Sequence, residues 1–408
     1  MPMPKFVGHL DADAFYCAAE RVRDECLRGV PVGVLGNQGA CVIAKSYEMK
    51  AHGVKTGEPI WEAMKKSPDG VFIKRDFRWY EVLSRAMLAV ARDWSPRVEY
   101  YSIDEFFFEA CPPRGMDHQE YATKIRDAMM ERVGVPVTVG IARSRTLAKL
   151  ISDSAKPWGA RAVLDRDQEV KLMEPLPVTE IAGIAGRRQR TLVPWGVSTC
   201  LDLAQADRRL IRELLTTSGE ALWWELNGEA VIPIRSQRPA HKFLARGGSF
   251  GDASSQPTVV FAWLVRNLER LLEELEFHQV RAGRLGVQLW YKDGRFEEAW
   301  GSLEAPSDRF DVLLEVARAG LRKVWHPRGL ACRMEIVAGK LAPRSQCQMG
   351  LFDRADDRGE AVASLKKAVN DRHGRFRLRS AATLPLAEVY GDATNGFDIC
   401  DVRGKACF

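Results

Sequence analysis

Apolar and polar positions along the chain follow two rhythms, a period near two and one near 3.6 residues, and their order predicts the elements. Residues 5–13 read as a strand and 14–28 as a helix. Residues 30–35 and 40–44 read as strands, separated by the turn signal Gly36-Asn37-Gln38-Gly39. A short helix closed by Gly53 follows, then a loop, then a second short helix from Ile60. Residues 71–74 read as a strand, 77–94 as a helix, and 98–100 with 105–109 as a hairpin-like pair. A helix over 121–133, an apolar β-branched strand over 135–141 and a helix over 143–155 complete the first part. This alternation predicts an antiparallel or mixed sheet backed by helices, hence an α+β fold.

From about 167 the texture changes to short helices and glycine turns, including Ile181-Ala182-Gly183-Ile184-Ala185-Gly186-Arg187-Arg188. Such a turn offers backbone N–H groups to a phosphate, and Arg187, Arg188 and Arg190 suit that use. The proline-bounded segment 233–239 reads as an extended linker. Residues 241–341 run strand, helix, strand, strand, helix, strand, a β-α-β-β-α-β unit. Lys242, Arg246, Arg281, Arg284 and Lys292 fall in or beside its strands, where one sheet face can follow a phosphate backbone. After Pro343 the chain loosens, and the apolar anchors of Gln348-Met349-Gly350-Leu351-Phe352-Asp353 stand in polar surroundings, the texture of a groove-binding linear motif. One helix is expected in 361–408.

Two stretches break the apolar pattern with acids. Asp104 and Glu105 interrupt the aromatic run from Tyr101 to Glu109, and Asp11 and Asp13 close the strand that starts near Phe6. Burying ionised carboxylates is costly unless they are paired or hold a metal. With the two strands side by side, Asp11, Asp104 and Glu105 converge into a hard-oxygen site suited to Mg²⁺ and substrate phosphates. Lys45, Tyr47, Lys50 and Lys55 cluster in the small helical segment before Pro59, which reads either as a solvated basic face or as a triphosphate grip.

Composition narrows the class without naming it. At 408 residues, two to four domains are expected. No apolar run approaches the roughly 18 residues that span a bilayer, and no signal peptide is read at the start, so a cytoplasmic protein without a membrane partner is expected. Nine cysteines, odd in number and without a Cys-x-x-Cys pair, point to reduced thiols. A net charge of +6 is compatible with a polyanion partner and decides little more.

Five segments carry a resemblance: residues 10–20, 39–59, 101–109, Val137 to Lys156 (VTVGIARSRTLAKLISDSAK) and 348–353. In this order and spacing the chain resembles the Y-family DNA polymerases, which copy damaged templates. Within that family it is most similar to the catalytic subunit of bacterial polymerase V, with DNA polymerase IV next. The resemblance implies a right hand: palm at 1–20 and 76–166, fingers at 21–75, a helical thumb at 167–234, a linker at 235–240, a little finger at 241–342 and a tail at 343–408. It implies low-fidelity, template-directed addition of dNTPs to a primer in DNA repair and SOS mutagenesis, in the cytoplasm at the nucleoid.

The resemblance also assigns residues. Asp11, Asp104 and Glu105 match the metal-binding carboxylates and the Ala12 carbonyl the backbone ligand, for two Mg²⁺ ions with Mn²⁺ able to stand in. Asp13 lies in the motif but reads as a structural hydrogen-bond acceptor. Tyr16 matches the steric gate against a ribose 2′-hydroxyl, with Phe15 beside it. Tyr47, Lys50 and Lys156 match the triphosphate contacts. Lys50 stands where arginine is commoner, which forfeits a bidentate fork, and Ala44 stands where many members carry a hydroxyl. Gly183, Gly186 and Arg187 match the thumb's DNA contact, and Lys242 and Arg246 are assigned to DNA in the little finger. Gln348, Met349, Leu351 and Phe352 match the bacterial sliding-clamp motif. The implied partners are primer-template DNA, a dNTP and the clamp, with accessory mutagenesis subunits and a recombinase filament as candidates for the tail. Two rivals remain at this point. A non-catalytic clamp-binding scaffold would be favoured by loss of a carboxylate, and all three are present. A nucleotidyl cyclase shares strand-end carboxylates, and the thumb-like turn, little-finger unit and clamp motif speak against it.

Overall fold

In a computed structural model, the structure describes residues 6–36, 41–237, 240–346 and 357–391. The chain divides near residue 238 into two compact units. The first opens with β1 (Val7–Ala12), buried along its whole length. Next come α1 (Phe15–Arg23), β2 (Val32–Leu35), β3 (Val42–Lys45), α2 (Tyr47–Ala51), α3 (Ile60–Lys66), β4 (Val71–Lys74) and α4 (Phe77–Trp94). Then follow β5 (Val98–Tyr100), β6 (Glu105–Glu109), α5 (His118–Val133), β7 (Val137–Ala142), α6 (Arg145–Ala155) and β8 (Ala160–Ala162). The helix expected to reach residue 28 ends at Arg23. There Asp24 turns extended and its carboxylate caps a separate 3-10 turn, Glu25–Leu27.

Two sheets form in this unit. One has the order β5-β6-β1-β7-β8, and the other β3-β2-β4. The first is mixed: β1 runs antiparallel to both β6 and β7, while β8 runs parallel to β7. Helix α6, capped by Ser144, crosses β1 and β7 closely. At Gly140 a Cβ would lie 2.4 Å from the Ala148 carbonyl oxygen and 2.6 Å from the Ser152 nitrogen, so only glycine lets the helix settle there. The underside of α6 continues into one core with α7 (Arg166–Met173), α8 (Gly186–Leu192), α9 (Cys200–Gln205) and α10 (Arg208–Leu226).

The second unit contains β9 (Phe243–Ser254), α11 (Pro257–Phe277), β10 (Val280–Tyr291), β11 (Phe296–Ser307), α12 (Phe310–Val324) and β12 (Ala331–Pro343), the β-α-β-β-α-β order expected. Its sheet is fully antiparallel, order β11-β10-β12-β9. Alternate residues, among them Leu244, Leu285, Val287, Leu289, Met334 and Ile336, join α11 and α12 in one core. The opposite face carries Arg284 stacked 4.4 Å from the Trp300 ring and Arg333 4.8 Å from Trp290. Residues 357–391 form more regular structure than their polarity suggests. Helix α13 (Asp357–His373), a 3-10 turn at Ala381–Leu386 and α14 (Ala387–Gly391) lie in this unit. Lys366 pairs with Glu269, Arg375 with Glu273, and Leu386 enters the core.

Candidate active site

The site is built by strand register. Asp11 on β1 stands directly opposite Glu105 on β6, and the Ala12 N–H donates to the Asp104 carbonyl at 3.0 Å. Two carboxylates at facing positions repel each other. Helix α6 supplies the compensation from one face. Lys149 Nζ lies 2.5 Å from Glu105 and 3.4 Å from Asp153. Lys156, just past the helix end, places Nζ 2.7 Å from Asp11 and 2.9 Å from Asp153. Burial pushes the Asp11 carboxyl above its ordinary range, against the pull of Lys156. Burial also raises Asp104, partly offset by its Ser102 hydrogen bond and reinforced by the charge of Glu105. For Lys149, burial works against the ammonium, but Asp153, Glu105 and Asp11 outweigh it and hold its pKa up.

His9 lies beneath this cluster. Ligand atoms of His9, Asp11 and Glu105 all fall within 4.8 Å of one another. His9 Nδ1 is 2.7 Å from Ser152 Oγ, whose own proton goes to the Lys149 carbonyl at 2.8 Å. The serine therefore accepts from His9, which leaves Nε2 as a buried lone pair without a partner. Burial, then the charges of Lys149, Lys156 and Arg145, keep this ring neutral. The donor set fits a divalent cation: two facing carboxylates, a third alongside, and the neutral imidazole of His9 beneath them.

The neighbouring residues divide by role. Asp13 accepts from the Trp158 N–H at 2.8 Å, from Thr138 Oγ1 at 3.1 Å and from the Tyr47 hydroxyl at 3.3 Å, the structural use expected of it. Tyr47 is thereby brought beside the acidic strand end, and its hydroxyl pKa is pushed up to about 12 by burial and by Asp13. Between Asp13 and Phe15 the chain turns through Ala14 in the left-handed region (φ 48°, ψ 49°), a conformation costing roughly 1–2 kcal/mol without glycine. Phe15 is buried, whereas Tyr16 is half-buried and stacks on Tyr80. Lys50 lies on the exposed side of α2.

The DNA-contact residues fare unevenly. Gly183 has φ 93° and Gly186 opens α8, forming the expected turn, and Arg187 is exposed on it. Arg188 is spent on the turn itself, donating to the Gly183 carbonyl at 2.9 Å. Lys242 is exposed. Arg246 is a correction: it shares the parity of Leu244 and Phe250, is buried, and pairs with Glu274 of α11, so it faces the helices and not the open sheet face. Gln348, Met349, Leu351 and Phe352 lie outside the described residues. Lys149 and His9 went unassigned in the sequence. Both had a signal: 149, 153 and 156 recur at helical spacing, and His9 is two residues before Asp11 on the same strand face.

Carboxylates and lysines gathered at the ends of adjacent strands are the equipment of a phosphoryl-transfer enzyme. Comparisons with known proteins say which. Residues 10–153 match the impB/mucB/samB family and 241–351 that family's C-terminal domain. A DNA polymerase IV of Mesorhizobium japonicum is 31% identical over 78% of this chain and 77% of its own. DNA polymerase IV 1 of Bacillus subtilis is 29% identical over 94% of each chain, and the protein UmuC of Salmonella typhimurium 28% over 84% and 85%. Among solved structures, a Y-family DNA polymerase chimera of Dbh and Dpo4 superposes with a TM-score of 0.70 at 20% identity, covering 83% of this chain and 99% of that one. The chain belongs to the impB/mucB/samB family and is a Y-family translesion DNA polymerase.

Proposed function

We propose that the chain extends a primer on damaged DNA, adding dNTPs to the 3′-hydroxyl with release of pyrophosphate, and that the Asp11–Glu105 strand end is where the bond forms. The observation that carries this is the facing carboxylate pair, half-compensated by Lys149 and Lys156. Asp11, the Ala12 carbonyl, Asp104 and Glu105 would hold two Mg²⁺ ions. Such ions, when bound, would activate the attacking 3′-oxygen and steady the leaving pyrophosphate. The chain's own groups do the rest. Lys156, Tyr47 and Lys50 receive the triphosphate, Tyr16 closes off the sugar's 2′ position, and Lys149 neutralises Glu105 and keeps it in place.

In this reading the β1-centred sheet with α4–α6 is the palm, 21–75 the fingers, 167–234 the thumb and 241–342 the little finger. Gly183, Gly186, Arg187 and Lys242 meet the DNA backbone. Residues 348–352 engage the sliding clamp, and the tail meets accessory subunits or a recombinase filament. The cytoplasm at the nucleoid is the place this substrate requires. Primer extension with Mg²⁺ and the four dNTPs, run beside Asp104→Ala/Glu105→Ala, tests the reading. Extension by the native chain alone supports it. Equal extension by both overturns the site. Silence of both calls for the same assay with clamp and recombinase filament, where continued silence overturns the activity.

A further inference from the structure

Sugar discrimination by a gate ring depends on where the ring stops, and the structure shows what stops it. Tyr16, in the first turn of α1, lies flat against Tyr80 of α4, with ring centroids 4.7 Å apart and planes 18° from parallel. Phe77, one turn earlier on α4, meets the same ring edge-on at 5.6 Å. Tyr80 is fully buried and its hydroxyl donates to the buried Glu20 carboxylate at 2.6 Å. Glu20 is held in turn by Arg23 at 2.8 Å, and Arg23 reaches Asp76 at 2.9 Å. Asp76 caps the very helix that carries Phe77 and Tyr80. Trp79 Nε1 adds a third tie between the helices, donating to the Ala19 carbonyl at 2.7 Å. Three side-chain links thus fasten α4 to α1 beside the half-buried Tyr16.

We propose that Tyr80 is a specificity-determining positioning residue. It is a fixed backstop whose ring face sets the depth at which Tyr16 stands, and with it the exclusion of ribonucleotides. This rests on the reading of Tyr16 as the sugar gate. A steric gate works only while its ring cannot retreat, and displacement by a fraction of an ångström is enough to admit a hydroxyl. A phenylalanine at position 80 would keep the stack. The tyrosine hydroxyl anchors the stack to Glu20, so the backstop is tied down as well as present. Tyr80 touches no substrate in this scheme, and its effect passes through Tyr16.

The test compares ATP with dATP for the full-length chain on a primer-template, with Mg²⁺. Two ratios are read: kcat/KM in extension, and Kd on a dideoxy-terminated primer, where no turnover is needed. Tyr80→Leu is expected to raise relative ribonucleotide acceptance about tenfold, the scale of a pocket altered by a small group, with dATP handling within about threefold of native. Tyr80→Phe is expected to stay near the native ratio. Tyr80→Met, flexible enough to fill the same space, carries the test should the leucine variant melt early. Tyr16→Ala is the control and is expected to exceed both. If Tyr16→Ala relaxes discrimination while Tyr80→Leu and Tyr80→Met leave the ratio within twofold of native, the backstop is overturned. Equal losses for both nucleotides, a merely structural effect, overturn it too. If Tyr16→Ala leaves the ratio unchanged, the gate reading itself fails.

Discussion

Charge is buried in both units, to opposite ends. In the second unit Glu274 faces Arg246, and Glu269 meets Lys366 and the Ser380 N–H at 3.0 Å. Each of these acids has its own cation, and the cluster is closed by the returning tail. In the first unit Asp11 and Glu105 oppose one another across two strands, and with Asp153 they share two lysines, with Asp104 alongside. The acids are in excess. A compensated buried cluster holds a structure together. An under-compensated one at strand ends suits divalent cations, because like charges directly opposite are tolerated only where something else offsets them.

The largest effect should come from removing the excess. Asp104→Ala/Glu105→Ala is expected to lower single-turnover primer extension by at least about 10³-fold, since charge neutralisation carries most of the rate. The metal-free variant should melt no earlier than the native chain. Removing one partner of the closed cluster should do the reverse. Arg246→Ala is expected to cost about 3–5 kcal/mol in denaturant unfolding, because the buried Glu274 loses its arginine. The salt dependence of DNA binding should stay unchanged, whereas a residue on phosphate would lower its slope.

Arg246 also shows where sequence reading failed and why. The strand is legible from its residue types, but a basic residue can meet DNA only from the open face, and a period of two puts position 246 on the core face with 244 and 250. Where periodicity was unambiguous the outcome was close: residues 71–74, 77–94, 98–100 and 105–109 are β4, α4, β5 and β6. The strand Ala160–Ala162 is not legible because Ala-Arg-Ala holds no β-branched or aromatic residue. The tail reads as loose because its polar residues swamp its few anchors, and only three dimensions show Lys366 and Arg375 meeting the acids of α11. The carboxylates were legible because acids at apolar strand ends are conspicuous. Lys149 was not, because a lysine on a helix is ordinary until its neighbours are known.

Two smaller effects sharpen the contrast. Lys149→Met removes the cation 2.5 Å from Glu105. It is expected to lower the maximal extension rate about tenfold while lowering the Mg²⁺ concentration needed for half of it, since an ammonium and a metal compete for one carboxylate. The smallest effect is on pH. Burial raises the pKa of Asp11 and Asp104, so in the metal-free chain both hold protons above the ordinary carboxylate range. Their contribution to stability is therefore lost as pH rises from that range toward the raised values. Mg²⁺ must displace those protons, so its affinity should rise over the same window with proton release. Calorimetry in two buffers of different ionisation enthalpy measures that release.

The most direct measurement of the central claim is Mn²⁺ binding, followed by electron paramagnetic resonance, to the chain with primer-template and an unreactive dNTP analogue. The account predicts bound Mn²⁺ in the native chain, strongly reduced binding in Asp11→Asn and in Glu105→Gln, and native binding in Glu274→Gln of the closed cluster. Equal Mn²⁺ binding by all four proteins would contradict it, because the excess of carboxylates between β1 and β6 would then have nothing to do with metal.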